Sequence, residues 1–219
     1  SHNSCSQAGR VRGPPHIHEA RKAVDGDSAI TVRVGRQSQG AAARCRTAAE
    51  IRAAIGRNTR AVVLQLECCE AVDEDLHFLE VLYAAGLRSL GPVWSRNNIF
   101  GHGVPFQFPA LPDLGDGLTP AGEKLVDACN DMKILVDLSH ITEKGFWDVA
   151  RLSKAPLVAT HSNAHALCPS PRNLTDRQLS AIRDSGGMVG LNFATCFLRP
   201  DGNMAADTDL GLMVRQLDY

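Results

Sequence analysis

The sequence predicts an α/β fold of the (β/α)8 TIM-barrel type, with about six βα units present. Three observations carry this. Short apolar runs of strand length alternate with segments of helical period, the pattern of a parallel sheet covered by helices. No Gly-rich phosphate fingerprint follows any strand, which counts against the alternative, a doubly wound nucleotide-binding sheet. Ligand-type side chains recur where strands end: Glu67 after AVVLQL, His140 beyond ILVDL and His161 after PLVAT. In a parallel barrel the carboxyl ends of neighbouring strands converge on one face, where active sites sit. Six strands do not close an eight-stranded barrel, so about two terminal units, the last ones, are expected to be lacking. The 219 residues form one partial barrel domain, residues 46–219 carrying its regular units.

The elements follow in order. Residues 1–27 are rich in Gly, Pro, Arg and polar residues without a period. SAITVRV (28–34) alternates as a strand, and GRQSQGAAARCR (35–46) reads as a loop. Thr47-Ala-Ala-Glu50 is a capping box opening a helix to about Ile55. AVVLQL (61–66) is a strand, and AVDEDLHFLEVLYAA (71–85) a helix that Gly86 stops. RSLGPVW (88–94) is a strand weakened by Pro92, followed by a long Gly- and Pro-rich loop over 95–117. Loops of that length inside a domain are often functional. Thr119-Pro120 starts a helix ending near Lys133. ILVDL (134–138), a helix from Glu143 to Leu152, and PLVAT (156–160) come next. Thr175-Asp-Arg-Gln178 is a second capping box, and its helix ends at Gly186-Gly187. MVGLNF (188–193) is a strand and TDLGLMVRQLDY (208–219) a helix.

Composition narrows the function. Hydrophobic residues make up 44% and charged ones 21%, ordinary for a globular protein. A net charge of -1 gives no electrostatic reason to expect nucleic acid. No apolar run reaches the length of a membrane span, and the first residues lack a secretory apolar core. The chain starts at Ser1 rather than Met, as a processed protein or a piece of a longer one does. Seven cysteines with no CxxC spacing fit reduced thiols and a cytoplasmic location.

The chemistry centres on His140 and His161, 21 residues apart at equivalent ends of consecutive strands. Two imidazoles delivered to one face form a pair of metal ligands. Glu67, on the same face, offers two carboxylate oxygens and can bridge two divalent ions. His165 reads as a loop histidine. Arg172, in CPSPRNLTD, is either a surface arginine or a bidentate clamp for a substrate carboxylate. His16-Ile17-His18 has the H-x-H form of a first-strand ligand pair, but no apolar strand leads into it.

A set of long motifs in fixed order adds a family. LQLE (64–67), WSRNNIFGHGVPF (94–106), ILVDLSH (134–140), LVATHSNAHALCPSPRNLTDRQL (157–179), GGMVGLNF (186–193) and FLRPDG (197–202) together resemble the renal (membrane) dipeptidase family of zinc metallopeptidases, peptidase family M19, in its bacterial form. Residues 1–45 match weakly. The resemblance implies a (β/α)8 barrel with two zinc ions that hydrolyses dipeptides by a metal-bridging hydroxide. It implies Glu67 as the bridging, catalytic carboxylate, His140 and His161 as ligands of one zinc, and Arg172 as the group that binds the substrate carboxylate. An H-x-D pair on the first strand holds the second zinc in the family. Here SHNS at 1–4 supplies His2 as a ligand but Ser4 in place of the aspartate. PHIHEAR (15–21) resembles a downstream segment rather than a ligand pair. The family's late proton-carrying aspartate has no counterpart before Tyr219.

The expectation is a zinc dipeptidase fold in which one zinc is held, with weak or no hydrolysis by the chain as given. The alternatives are a catalytically inactive remnant that binds metal or peptide, and a different amidohydrolase using His16 and His18. Expected partners are a dipeptide substrate and, at open strand edges, a further copy of the chain, with no nucleic acid and no transmembrane segment.

Overall fold

The computed structural model describes residues 17–24 and 37–219. The strand expected at 28–34, and His2, Ser4 and His16, lie outside the described residues.

Residues 17–24 are helical (α1). The regular elements then run β1 (Ala42–Arg44), α2 (Ala48–Gly56), β2 (Arg60–Val62), β3 (Leu64–Leu66), α3 (His77–Ala85), β4 (Leu87–Leu90), α4 (Pro120–Met132), β5 (Leu135–Val136), α5 (Glu143–Leu152), β6 (Val158–Ala159), α6 (Asp176–Asp184), β7 (Met188–Val189) and α7 (Gly211–Asp218). Among the described residues every strand pairing is parallel: β1 with β2, β3 with β4, β4 with β5, and β6 with β7. A parallel bridge between Asp137 and Val158 joins β5 to β6. Each strand therefore lies beside its neighbour in sequence. A doubly wound sheet reverses its strand order at a switch point; this wall does not, which makes it a barrel wall.

Local sequence explains the boundaries. The Thr47 hydroxyl accepts from Glu50 N while the Glu50 carboxylate accepts from Thr47 N, a complete capping box. Thr119 and Thr142 cap α4 and α5 by accepting from Gly122 N and Gly145 N. Gly86, at φ 113°, ends α3 in the left-handed region that glycine tolerates.

Three expectations needed correction. Ala42–Arg44, expected in a loop, is a strand, because its backbone pairs with Arg60–Val62. AVVLQL is two strands rather than one. It breaks at Val63, with β2 serving β1 on one side and β3 serving β4 on the other. The helix expected from 71 starts only at His77, where the Asp73 carboxylate accepts from His77 N and Phe78 N.

Two apolar clusters hold the helices to the wall. Leu79, Leu82, Leu87, Leu90, Phe100, Leu125 and Cys129 belong to one. Val93, Val126, Leu138, Phe146, Val149, Ala159 and Ile182 belong to the other. Burying a side chain such as Leu79 or Phe146 contributes about 1.5–3 kcal/mol.

The long segment 95–117 has no regular strand or helix but is stitched across the strand ends. Val104 N donates to His140 O, Thr142 N to His102 O, Glu143 N to Pro112 O and Ala110 N to Pro169 O. Gly103 permits this closeness, since a Cβ there would stand 1.7 Å from Trp94 O.

Candidate metal centre

Glu67 directly follows β3, His161 follows β6, and His140 sits in the turn beyond β5. The parallel wall brings these three carboxyl ends together. His140 Nε2 lies 3.3 Å from Glu67 Oε1, His161 Nε2 lies 3.1 Å from the same oxygen, and the two Nε2 atoms are 3.0 Å apart. Among the described residues this is the cluster of three His, Cys, Asp or Glu whose ligand atoms converge. Ligands at about 2.0–2.1 Å from a tetrahedral zinc stand about 3.3 Å from one another. The triangle of donors has that size, and two imidazoles with one carboxylate form a donor set suited to zinc.

The charge states suit a cation as well. Hydrogen bonds from His140 and then His161 hold the Glu67 carboxyl well below the usual carboxylate range. Burial, followed by the positive charge of Arg172, pulls His140 down to about 4. At neutral pH the cluster therefore offers an ionised Glu67 and a neutral His140, the forms that donate lone pairs to a metal. The His140 side chain is 6% exposed, His161 28% and Glu67 54%, so the cluster opens to solvent on the Glu67 side.

His140 has φ 72°, in the left-handed region. Histidine visits that region more readily than most residues, and outliers of this kind gather at functional sites. The turn swings the imidazole from the end of β5 toward Glu67.

The surroundings are partly aromatic. Trp94 packs edge-on to Phe106 at 5.4 Å between ring centroids and lies 5.8 Å from His140. Phe106 stacks on Phe197 at 6.2 Å. Arg172 is buried, donates from Nη2 to His161 O and sits with Cζ 5.5 Å above the Phe197 ring. Its place beside the cluster excludes the surface-arginine reading.

The remaining candidates separate cleanly. His165 is a loop histidine: its Nε2 bonds Ala110 O at 2.9 Å, tying segment 95–117 to the loop after β6. His18 is exposed within α1, so His16-Ile17-His18 does not lie on a strand at position 18. Sequence reasoning missed four groups around the cluster. Ser95 Oγ contacts His140 Nδ1 at 2.8 Å, Thr160 Oγ1 contacts His161 Nδ1 at 2.8 Å, and Asp137 and Gln65 lie behind Thr160. Asp137 carried a readable signal, a carboxylate inside the apolar run ILVDL. Ser95 carried none, because its partner is 45 residues away.

The sequence profile of the membrane dipeptidase family, peptidase family M19, matches residues 22–215. The chain belongs to the M19 membrane dipeptidase family.

Its relatives include an uncharacterized protein encoded in the pqqA 5' region of Klebsiella pneumoniae, 51% identical over 175 residues, which cover 80% of this M19 chain and 65% of that protein. The crystal structure of a Rhodobacter sphaeroides metallo peptidase, liganded with a phosphinate mimic of the dipeptide L-Ala-D-Ala, is 52% identical, with a TM-score of 0.91 over 93% of this chain and 58% of that one. The probable dipeptidase PvdM from Pseudomonas aeruginosa is 29% identical with a TM-score of 0.77, over 84% of this chain and 46% of that one. This M19 chain thus spans about 60% of the length of its first two relatives. Their likeness agrees with the partial barrel described above.

Proposed function

We propose that this M19 chain is the metal-binding part of a zinc dipeptidase that hydrolyses the peptide bond of dipeptides. One observation carries the reading: Glu67 Oε1, His140 Nε2 and His161 Nε2 meet within 3.0–3.3 Å at the carboxyl ends of three parallel strands. A zinc ion held there would supply Lewis acidity toward a carbonyl and acidify water to near neutral pH.

The chain's own residues take distinct roles. His140 and His161 would hold one zinc. Both approach Glu67, which would share that ion and, in the bridging role that the family resemblance implies, would also hold a second. His2 is the remaining ligand proposed for that second ion. Arg172, buried beside the cluster with Nη2 on His161 O, would recognise the carboxylate end of the substrate by its positive charge. Trp94, Phe106 and Phe197 form an apolar wall that excludes water beside the metal ligands. The Rhodobacter relative's complex with a mimic of L-Ala-D-Ala supports a dipeptide with a D-residue at its C-terminal end. Free thiols at Cys45, Cys68, Cys69 and Cys129 support a cytoplasmic location. No helix among the described residues is long and apolar enough to cross a membrane. A further copy of the chain at an open strand edge is the proposed protein partner.

The test is zinc content and turnover of the purified 219-residue chain. About one zinc per chain, with weak or no hydrolysis of L-Ala-D-Ala, is the expected result. Absence of bound zinc would leave the chain a remnant of the fold. Robust hydrolysis would show that the residues present suffice for the whole reaction.

A further inference from the structure

We propose that a directional chain of hydrogen bonds inside the barrel keeps a proton on His161 Nδ1 and so turns Nε2 to the metal centre, with Asp137 and Thr160 as positioning residues. This inference rests on the metal-centre reading above and says which of its two histidines is preset.

The chain starts at a carboxylate that can only accept. Asp137 is 1% exposed. Its Oδ1 accepts from Ser139 N at 3.0 Å and Thr160 N at 2.8 Å. Its Oδ2 accepts from Gln65 Nε2 at 3.1 Å and from the Thr160 hydroxyl at 2.5 Å. Four donors fill the acceptor positions of an ionised carboxylate. Gln65 is held in this orientation from behind, because its Oε1 accepts from Ser89 Oγ at 3.1 Å. The belt thus crosses four neighbouring positions of the wall: Ser89 on β4, Gln65 on β3, Asp137 after β5 and Thr160 after β6.

The consequence for His161 follows from proton counting. A hydroxyl has one hydrogen to donate. Thr160 gives it to Asp137, so toward His161 Nδ1, 2.8 Å away, its oxygen can only accept. Nδ1 must then carry a proton, which leaves Nε2, facing Glu67 and His140, as the nitrogen for a metal. Asp137 does not reach the ring directly, since His161 Nδ1 lies 3.9 Å from its Oδ2. The hydroxyl of Thr160 is the relay.

His140 differs. Its Nδ1 faces Ser95 Oγ at 2.8 Å, and among the described residues no acceptor claims the Ser95 hydrogen. That hydroxyl can donate or accept, so it imposes no tautomer. His161 is therefore the fixed ligand of the pair and His140 the adaptable one.

Two measurements on the 219-residue protein test this. In the metal-free protein, long-range proton–nitrogen correlation spectra should show a proton on His161 Nδ1. A His161 with an unprotonated Nδ1 overturns the proposal without any variant. Zinc affinity, read by competition with a chromogenic chelator, should fall about 10–100-fold in Thr160→Val, which keeps the shape but removes the hydroxyl. It should stay within about threefold of the parent in Thr160→Ser, and fall less in Ser95→Ala than in Thr160→Val. Thr160→Val that binds zinc as tightly as the parent also overturns the proposal. Loss of the Nδ1–H form in Thr160→Val with its return in Thr160→Ser supports the relay even where zinc fails to bind, an outcome that overturns only the metal reading.

Discussion

At the scale of single residues, His140 combines two features that normally cost stability. Its φ of 72° disfavours any side chain with a Cβ. In zinc-free protein, His140→Gly should therefore be more stable than His140→Ala by about 1 kcal/mol in urea unfolding. Its buried imidazole also sets a pH dependence. The ordinary value of 6.5 is lowered to about 4, so in that interval the unfolded chain is protonated while the folded chain is not. The unfolded state then binds the extra proton, and stability falls as pH falls. Between about pH 6.5 and pH 4 the loss should reach about 3 kcal/mol in the presence of chelator, and His140→Gln should flatten it. Glu67 adds to the loss at still lower pH, since a depressed carboxyl contributes stability that disappears once it is protonated. His140, His161 and Glu67 were legible in the sequence because strand ends are legible and ligand types stand out there. Thr160 was not, because a threonine beside a histidine has no distinguishing pattern until Asp137 is seen behind it.

At the scale of elements, helices were easier to read than strands. The capping boxes at Thr47 and Thr175 and the Pro at position 120 encode their helices within a few residues. The strands β5, β6 and β7 are two residues each, and β2 and β3 break one apolar run. Their limits depend on partners distant in sequence, which local pattern does not contain. Segment 95–117 was legible as a long irregular loop but not in its path. Gly103 is the test of that path. Gly103→Ala should cost about 3 kcal/mol in urea unfolding and weaken zinc binding, because Val104 N holds the His140 turn. Gly56→Ala is the control: a Cβ at the end of α2 meets nothing within 4 Å, so that variant should be neutral or gain up to about 1 kcal/mol.

At the scale of the whole molecule, the wall and the site are one construction, since the belt that orients His161 also spans β3 to β6. Zinc should therefore stabilise the entire fold. At a free zinc concentration about 100 times its Kd the gain should be about 2.7 kcal/mol, seen as a higher unfolding temperature that chelator reverses. His161→Ala should abolish the gain while leaving the circular dichroism spectrum intact. The neighbour-by-neighbour order of the strands also has a consequence in time. A chain leaving the ribosome lays down β1 to β3 with Glu67 first, then β4, and each later strand finds its partner already in place. The proposed metal ligands span residues 67 to 161, so an ion held there would not nucleate the first half of the wall. It would arrive late and tie off a loop of about 95 residues, a clip on a wall already standing rather than the seed from which that wall grows.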